Sequence, residues 1–414
     1  MAERLMKLSK AEKLGVIPSN WDFRRLKYIC SSKITNISTD SITENGPYKV
    51  YGAAGLMGYI NTKEMDQEYI GIVKDGAGAG RMDFYPAQSS LLGTMAYIIP
   101  NKKTDLKWLM YVISSLNLGE SVDKTTIPHI YFSEYGNEYV CYPSHDEQAR
   151  IADFLDKKVS EIDAVISKTK ESIEEYKRLK QSVINEAVTK GLDPNIEMKD
   201  SGNRFVGAIP KHWEIKRTRF VADSLEKGNG ITKEEVYPDG DIPCVRYGEI
   251  YTKYNGGFSS CVSKTKLEQI TKPSFFTFGD LLFCGTGELV EEIGKNIVYL
   301  GNEKCLAGGD IIIMKHKQDP VFINYALNSG YSQTQKSYGK AKLKVVHISA
   351  SEIGNVWIAL PPIKEQKEIG EYLDEKCSRL DSLVSKKEQV ITELEQYKKS
   401  LIYEYVTGKK EVLQ

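Results

Sequence analysis

Two stretches of this chain place apolar residues at alternating steps of four and three, and the steps fall in the same order in both. Residues 147–189 carry them at Leu155, Val159, Ile162 and Ile166, then at Ile173, Tyr176, Val183 and Ala187. Residues 365–407 carry them at Leu373, Cys377, Leu380 and Val384, then at Ile391, Leu394, Leu401 and Tyr405. That spacing is a heptad seam and predicts two long helices. Polar residues interrupt both seams at matching places, Thr169 and Lys387, then Lys180 and Lys398. Ser144 and Glu147 form a capping box at the first start, and Pro362 suits the first turn of the second helix. Gly191, Pro194 and Gly408 are the stops. A helix over these 43 residues would be roughly 64 Å long. The remaining surface of both helices is charged with the signs interspersed, as a solvated face is.

The two stretches are copies of one ancestor. From His129 to Thr189, shifted by 218 positions, 25 of 61 residues are identical without a gap. A second match lies upstream at an offset of 192, where Ile17-Pro18-Ser19-Asn20-Trp21 meets Ile209-Pro210-Lys211-His212-Trp213. An internal duplication follows. Between the tryptophan and the helix each half holds a segment of short strand-like runs and turns, the second longer by 26 residues, the difference of the two offsets. The division expected is an arm at 1–14, a globular domain at 15–143, a long helix at 144–190 and a polar linker at 191–206. A second globular domain follows at 207–362, then a long helix at 363–409 and a tail at 410–414. The fold class expected is α+β: two mixed α/β domains separated by two long helices in an antiparallel coiled coil, with pseudo-twofold symmetry.

Composition narrows the function. Lys and Arg balance Asp and Glu at 56 each, which allows local basic patches but not a wholly cationic surface. Seven cysteines without a Cys-x-x-Cys and five histidines without ligand spacing predict reduced thiols and no metal site. No apolar run approaches 18 residues and no signal peptide opens the chain, so a soluble, cytoplasmic protein is expected. The single Pro-Pro, Pro361-Pro362, lacks the flanking residues of an adenine-gripping loop, and no phosphate-binding loop is present. Cys284-Gly285-Thr286-Gly287 has the look of a cofactor loop but reads as a turn, and His129 and His347 read as structural.

In order and in duplicate, these motifs make the chain resemble the specificity subunits of type I restriction-modification systems. The marks are the Ile-Pro-x-x-Trp openings and the helix starts Glu147, Gln148, Ile151, Leu155, Asp156 and Glu365, Gln366, Ile369, Leu373, Asp374. A third mark is the junction that includes Lys190, Pro194 and Lys199. The resemblance implies two target-recognition domains that read the halves of a split, asymmetric double-stranded DNA sequence. It implies that two modification subunits, which bind S-adenosylmethionine and methylate adenine, dock on the shared regions, the two helix starts above all. Two restriction subunits using ATP and Mg would complete the complex. The chain itself would be non-catalytic, hold no cofactor and touch no membrane. Two alternatives compete: a recognition subunit of a related type II-like restriction-methyltransferase, and a tethering protein with two ligand domains on a coiled-coil spacer.

The residues expected to touch DNA come from physics rather than motif. Cations in glycine-rich turns contact phosphates, and amide or guanidinium groups read base edges. The richest stretch, residues 320–351, has no acidic residue and offers Lys336, Tyr338, Lys340, Lys342 and Lys344. In the second half Arg246, Tyr247, Thr286 and Lys295 are further candidates, and in the first half Lys49, Tyr51, Lys74, Arg81, Lys124 and Thr125.

Overall fold

The computed structural model describes residues 5–9, 11, 14–120, 128–287, 289–340 and 346–412. The long helices run His145–Lys190 and Ile363–Val406. Gly191 and Gly408, both at positive φ, end them where a side chain would be strained. The chain forms two compact units, and each takes part of both helices: Met1–Lys170 with Gln389–Gln414, and Glu171–Glu388. The two ends of each helix are built into the cores of different units. The seam explains this, because none of its sixteen apolar positions is left exposed.

In the first unit Leu401, Ile402 and Val406 share one core with Trp21, Leu26, Trp108, Ile151 and Leu155. In the second, Ile184 and Val188 share a core with Trp213, Phe283, Phe322, Ile369 and Leu373. Burying one such leucine stabilises by about 2 kcal/mol. Within each unit the two helix segments run antiparallel. Phe154 stacks on Tyr405 and Asp163 binds Lys398 in the first unit, while Tyr176 meets Lys387 and Lys180 binds Asp381 in the second.

The sheets repeat as well. A four-stranded antiparallel sheet in the first unit has the order Cys30–Ile34, Met95–Pro100, Tyr69–Val73, Met82–Tyr85. The second unit repeats it as Ala222–Lys227, Ile311–His316, Leu281–Cys284, Asn296–Tyr299 and adds Gly257–Phe258 at the edge. Beside it, Tyr48–Gly52 pairs in parallel with Ser89–Leu91 and antiparallel with Gly55–Ile60. The second unit matches this with Ile242–Val245 in parallel with Cys305–Ala307 and antiparallel with Ser263–Thr265. The two units diverge most here. Where the first turns through Ala53 and Ala54, the second inserts residues 246–262, which include a short helix, Tyr247–Thr252.

Candidate nucleic-acid interface

The helix starts are an internal joint. Gln148 is fully buried, accepts from the backbone N–H of Asp105 at 2.8 Å, and donates to the carbonyl of Pro143 at 3.0 Å. Gln366 repeats this with Asp319 at 3.0 Å and Pro361 at 2.8 Å. Asp105 and Asp319 in turn cap the helices Leu106–Ser114 and Pro320–Asn328 by accepting from Trp108 and Phe322. Asp156 accepts from the hydroxyl of Tyr111 at 2.7 Å and from Lys107, and Asp374 from the hydroxyl of Tyr325 at 2.9 Å. Burial pushes the Tyr111 phenol above its ordinary range, and the Asp156 carboxylate adds to the rise. Ile151, Leu155, Ile369 and Leu373 lie in the cores. A docking role for Gln148, Gln366 and these four apolar residues is corrected: no partner reaches them without opening a core. They fasten a short helix onto a long one. Glu147 accepts from the indole of Trp21, and Glu365 pairs with His212.

In the second unit the inserted residues build an open cleft. Lys227, Lys233, Arg246 and Lys253 line it, together with Tyr247 and the turns at Asn229-Gly230 and Gly308-Gly309. Its two carboxylates are already engaged. Glu249, 5% exposed, binds Arg246 and the hydroxyl of Ser263, and Asp310 lies 3.6 Å from Lys227. Arg246 is thereby held at the rim with its neighbour Tyr247 43% exposed. A cationic cleft with an exposed phenol suits a nucleic-acid backbone and the base edges beside it. Lys227, Lys233 and Lys253 escaped the sequence reading because they lie on separate segments. Arg246 and Tyr247 are the sequence candidates that lie in this cleft.

The remaining candidates divide. Thr286 meets His347 at 3.1 Å where Thr286–Gly287 pairs with Val346–His347, and Lys295 lies over the ring of Tyr251. Lys336 is not a phosphate ligand. Only 3% exposed, it donates to the carbonyls of Gly294 at 2.7 Å and Leu327 at 2.8 Å, and burial lowers its pKa to about 7. The sequence pattern could not show this, since the helix Gly330–Ser337 turns one lysine inward from a stretch without acids. Lys340 is held by Glu352 and the carbonyl of His347. Tyr338 is 65% exposed with Arg204 against its face. Lys342 and Lys344 lie outside the described residues, as do Lys124 and Thr125.

In the first unit Lys49 and Tyr51 lie on Tyr48–Gly52, the strand equivalent to Ile242–Val245 that leads into Arg246 and Tyr247. Lys49 is exposed, while Tyr51 is half-buried against Tyr85. Lys74 binds Asp75, whose carboxylate also accepts from His129 at 2.8 Å. Burial works against Asp75 ionising, yet those two partners hold its pKa below the usual carboxylate value. Arg81 folds back over Gly78, where an added Cβ would collide with its guanidinium. Among the described residues no cluster of His, Cys, Asp or Glu could hold a metal ion, and no helix is long and apolar enough to cross a membrane.

Comparison with known proteins agrees with this architecture. The family model described as the type I restriction modification DNA specificity domain matches twice, at residues 18–175 and 210–396. The MjaVIII type I restriction enzyme specificity subunit of Methanocaldococcus jannaschii is 24% identical over 421 residues, covering 95% of this chain and 93% of that one. The EcoDI specificity subunit of Escherichia coli is 19% identical, covering 89% of this chain and 84% of its own. A chain in a solved type I R-M system structure superposes with a TM-score of 0.69 at 15% identity, covering 95% of this chain and 99% of that one.

Proposed function

This chain belongs to the type I restriction-modification DNA specificity family, and from that membership we propose that it is the DNA-recognition subunit of a type I complex. The observation that carries the reading is the double match of the family model, one copy for each set of repeated sheets. Each unit reads one half of a split DNA target. The halves differ because the units differ where their recognition surfaces are built, at the turn of Ala53 and Ala54 against the insertion 246–262.

The chain supplies sequence choice to a methyltransferase subunit, which carries S-adenosylmethionine. Two such subunits dock on one chain, and two restriction subunits, with their ATP and Mg, complete the assembly. The chain itself performs no chemistry. Its histidines at the glycine-rich turns, His129 and His347, are tied to Asp75 and Thr286 in matching positions, which supports a structural role. The purified chain should neither methylate nor cleave DNA. Coexpression with its cognate methyltransferase subunit should yield one bipartite, asymmetric adenine-methylation motif by methylome sequencing. Methyl transfer by the chain alone would overturn the reading.

A further inference from the structure

Each unit carries the same exposed cluster outside the recognition surfaces. In the first, Asp22–Arg25 pairs with Tyr139–Tyr142, and the guanidinium of Arg25 lies 5.1 Å from the ring centre of Tyr139. Lys27 donates to the side-chain oxygen of Asn137 at 2.8 Å and lies 5.6 Å from the ring of Tyr28. In the second, Glu214–Arg217 pairs with Trp357–Leu360, and Arg217 lies 4.9 Å from the ring of Trp357. Arg219 donates to Asn355 at 3.1 Å and lies 4.9 Å from the ring of Phe220. Asn137 and Asn355 are equivalent under the 218-residue offset, and so are Tyr139 and Trp357. The eight residues from Trp21 and from Trp213 have the same order of buried, half-buried and exposed positions.

Two features need a partner. Tyr28 and Phe220 are 65% and 70% exposed, although large aromatics are usually covered. Among the described residues Arg25, Lys27, Arg217 and Arg219 have no carboxylate partner; asparagine oxygens and aromatic faces hold them. The nearby acids Asp22 and Glu214 are matched by Arg24 and Lys216. The complementary surface is therefore acidic. Phosphates would satisfy the cations but gain nothing from a phenyl ring at the edge of a stacked duplex. Protein interfaces, by contrast, draw their binding energy from aromatic and arginine anchors. The two units must read different bases, so a surface kept alike in both meets something alike at both.

We propose that these two clusters are equivalent docking surfaces for two copies of one acidic-faced protein, the methyltransferase subunit. This rests on the functional reading above. The test is native mass spectrometry of the full chain copurified with its cognate methyltransferase subunit, with DNA affinity of the chain alone measured in parallel. The unaltered chain should carry two copies. Lys27→Glu with Tyr28→Ala should leave one, Arg219→Glu with Phe220→Ala should leave one, and all four changes none. DNA affinity should move less than twofold, and the exposed positions should leave folding intact. Two copies retained by every variant would overturn the proposal. So would full assembly with DNA affinity reduced tenfold, which would reassign the clusters to phosphate. No methyltransferase on the unaltered chain would overturn the family-based reading, and the docking proposal with it.

Discussion

Trp21 and Trp213 open the two repeats, yet their indole N–H groups fare differently. Trp21 donates to Glu147 at 2.8 Å, whereas the buried Trp213 Nε1 has no partner among the described residues, Glu365 pairing with His212 instead. The first repeat has Asn20 at the place of His212. His212→Asn should release Glu365 to the indole and raise the stability of the second unit by about 1 kcal/mol. Urea unfolding checks this, and the gain should vanish in a Glu365→Leu background. Lys336 gives a second prediction at this scale. A neutral amine has two N–H groups, and two carbonyls accept them. Its pKa is about 7 when folded against 10.5 unfolded. Between those values the unfolded chain holds a proton that the folded chain does not, so stability rises with pH, by up to about 1.4 kcal/mol per unit. The rise should appear from about pH 7 to about pH 8.5. Above that, buried thiols such as Cys284, pushed up to about 12 by burial, pull the other way. Lys336→Met should flatten the curve over that window. Of the candidate contacts, Arg246, Tyr247 and Lys49 were legible as cations and aromatics beside strand ends. The inward turn of Lys336 was not, because burial is decided by packing that a local pattern does not contain.

At the scale of the elements, the long helices were legible because a heptad repeats without help from distant residues. The sheets were not. Their strands are three to six residues long in the first unit, and the pairing of Tyr48–Gly52 with Ser89–Leu91 joins segments far apart in the chain. The same parallel pairing recurs between Ile242–Val245 and Cys305–Ala307, so the duplication records a topology that neither half spells out locally. The polar breaks in the seam also find their meaning here. Lys180 donates to both oxygens of Asp381 at 2.7 and 2.6 Å, and Lys398 to Asp163 at 2.5 Å. The two pairs are equivalent under the 218-residue offset, and a charged pair at a seam fixes register at some cost in stability. A double-mutant cycle on Lys180→Ala and Asp381→Ala should show a coupling of about 1 kcal/mol, modest because both side chains are partly solvated. Exchanging the charges, Lys180→Asp with Asp381→Lys, should recover most of what either single reversal loses.

For the whole molecule, duplication followed by divergence explains why one chain can read two unlike sequences. The cores, the helix-start joints and the small sheet of Asp22–Arg25 with Tyr139–Tyr142 are retained in the second unit, and the difference is concentrated in residues 246–262. That insertion supplies Arg246, Tyr247, Lys253 and Val262 to the cleft. It leaves and rejoins the sheet through strands that the first unit links by Ala53 and Ala54 alone. Ile250, Tyr254 and Phe258 share a core with Leu282, Ile297 and Ile313 of the sheet, which makes the insertion part of the unit's scaffold and not a loose appendage. The cleft side chains are therefore the ones to change, and Arg246→Ala with Tyr247→Ala and Lys253→Ala removes the reading surface of one unit while keeping that core. Methylome sequencing of cells carrying this variant with the cognate methyltransferase should show one half-site unchanged and the other lost or relaxed. Point changes at Arg246 and Tyr247 should relax one or two positions of that same half, by about 1–3 kcal/mol each. A variant that folds, assembles and still methylates the full original motif would show that the insertion reads no bases.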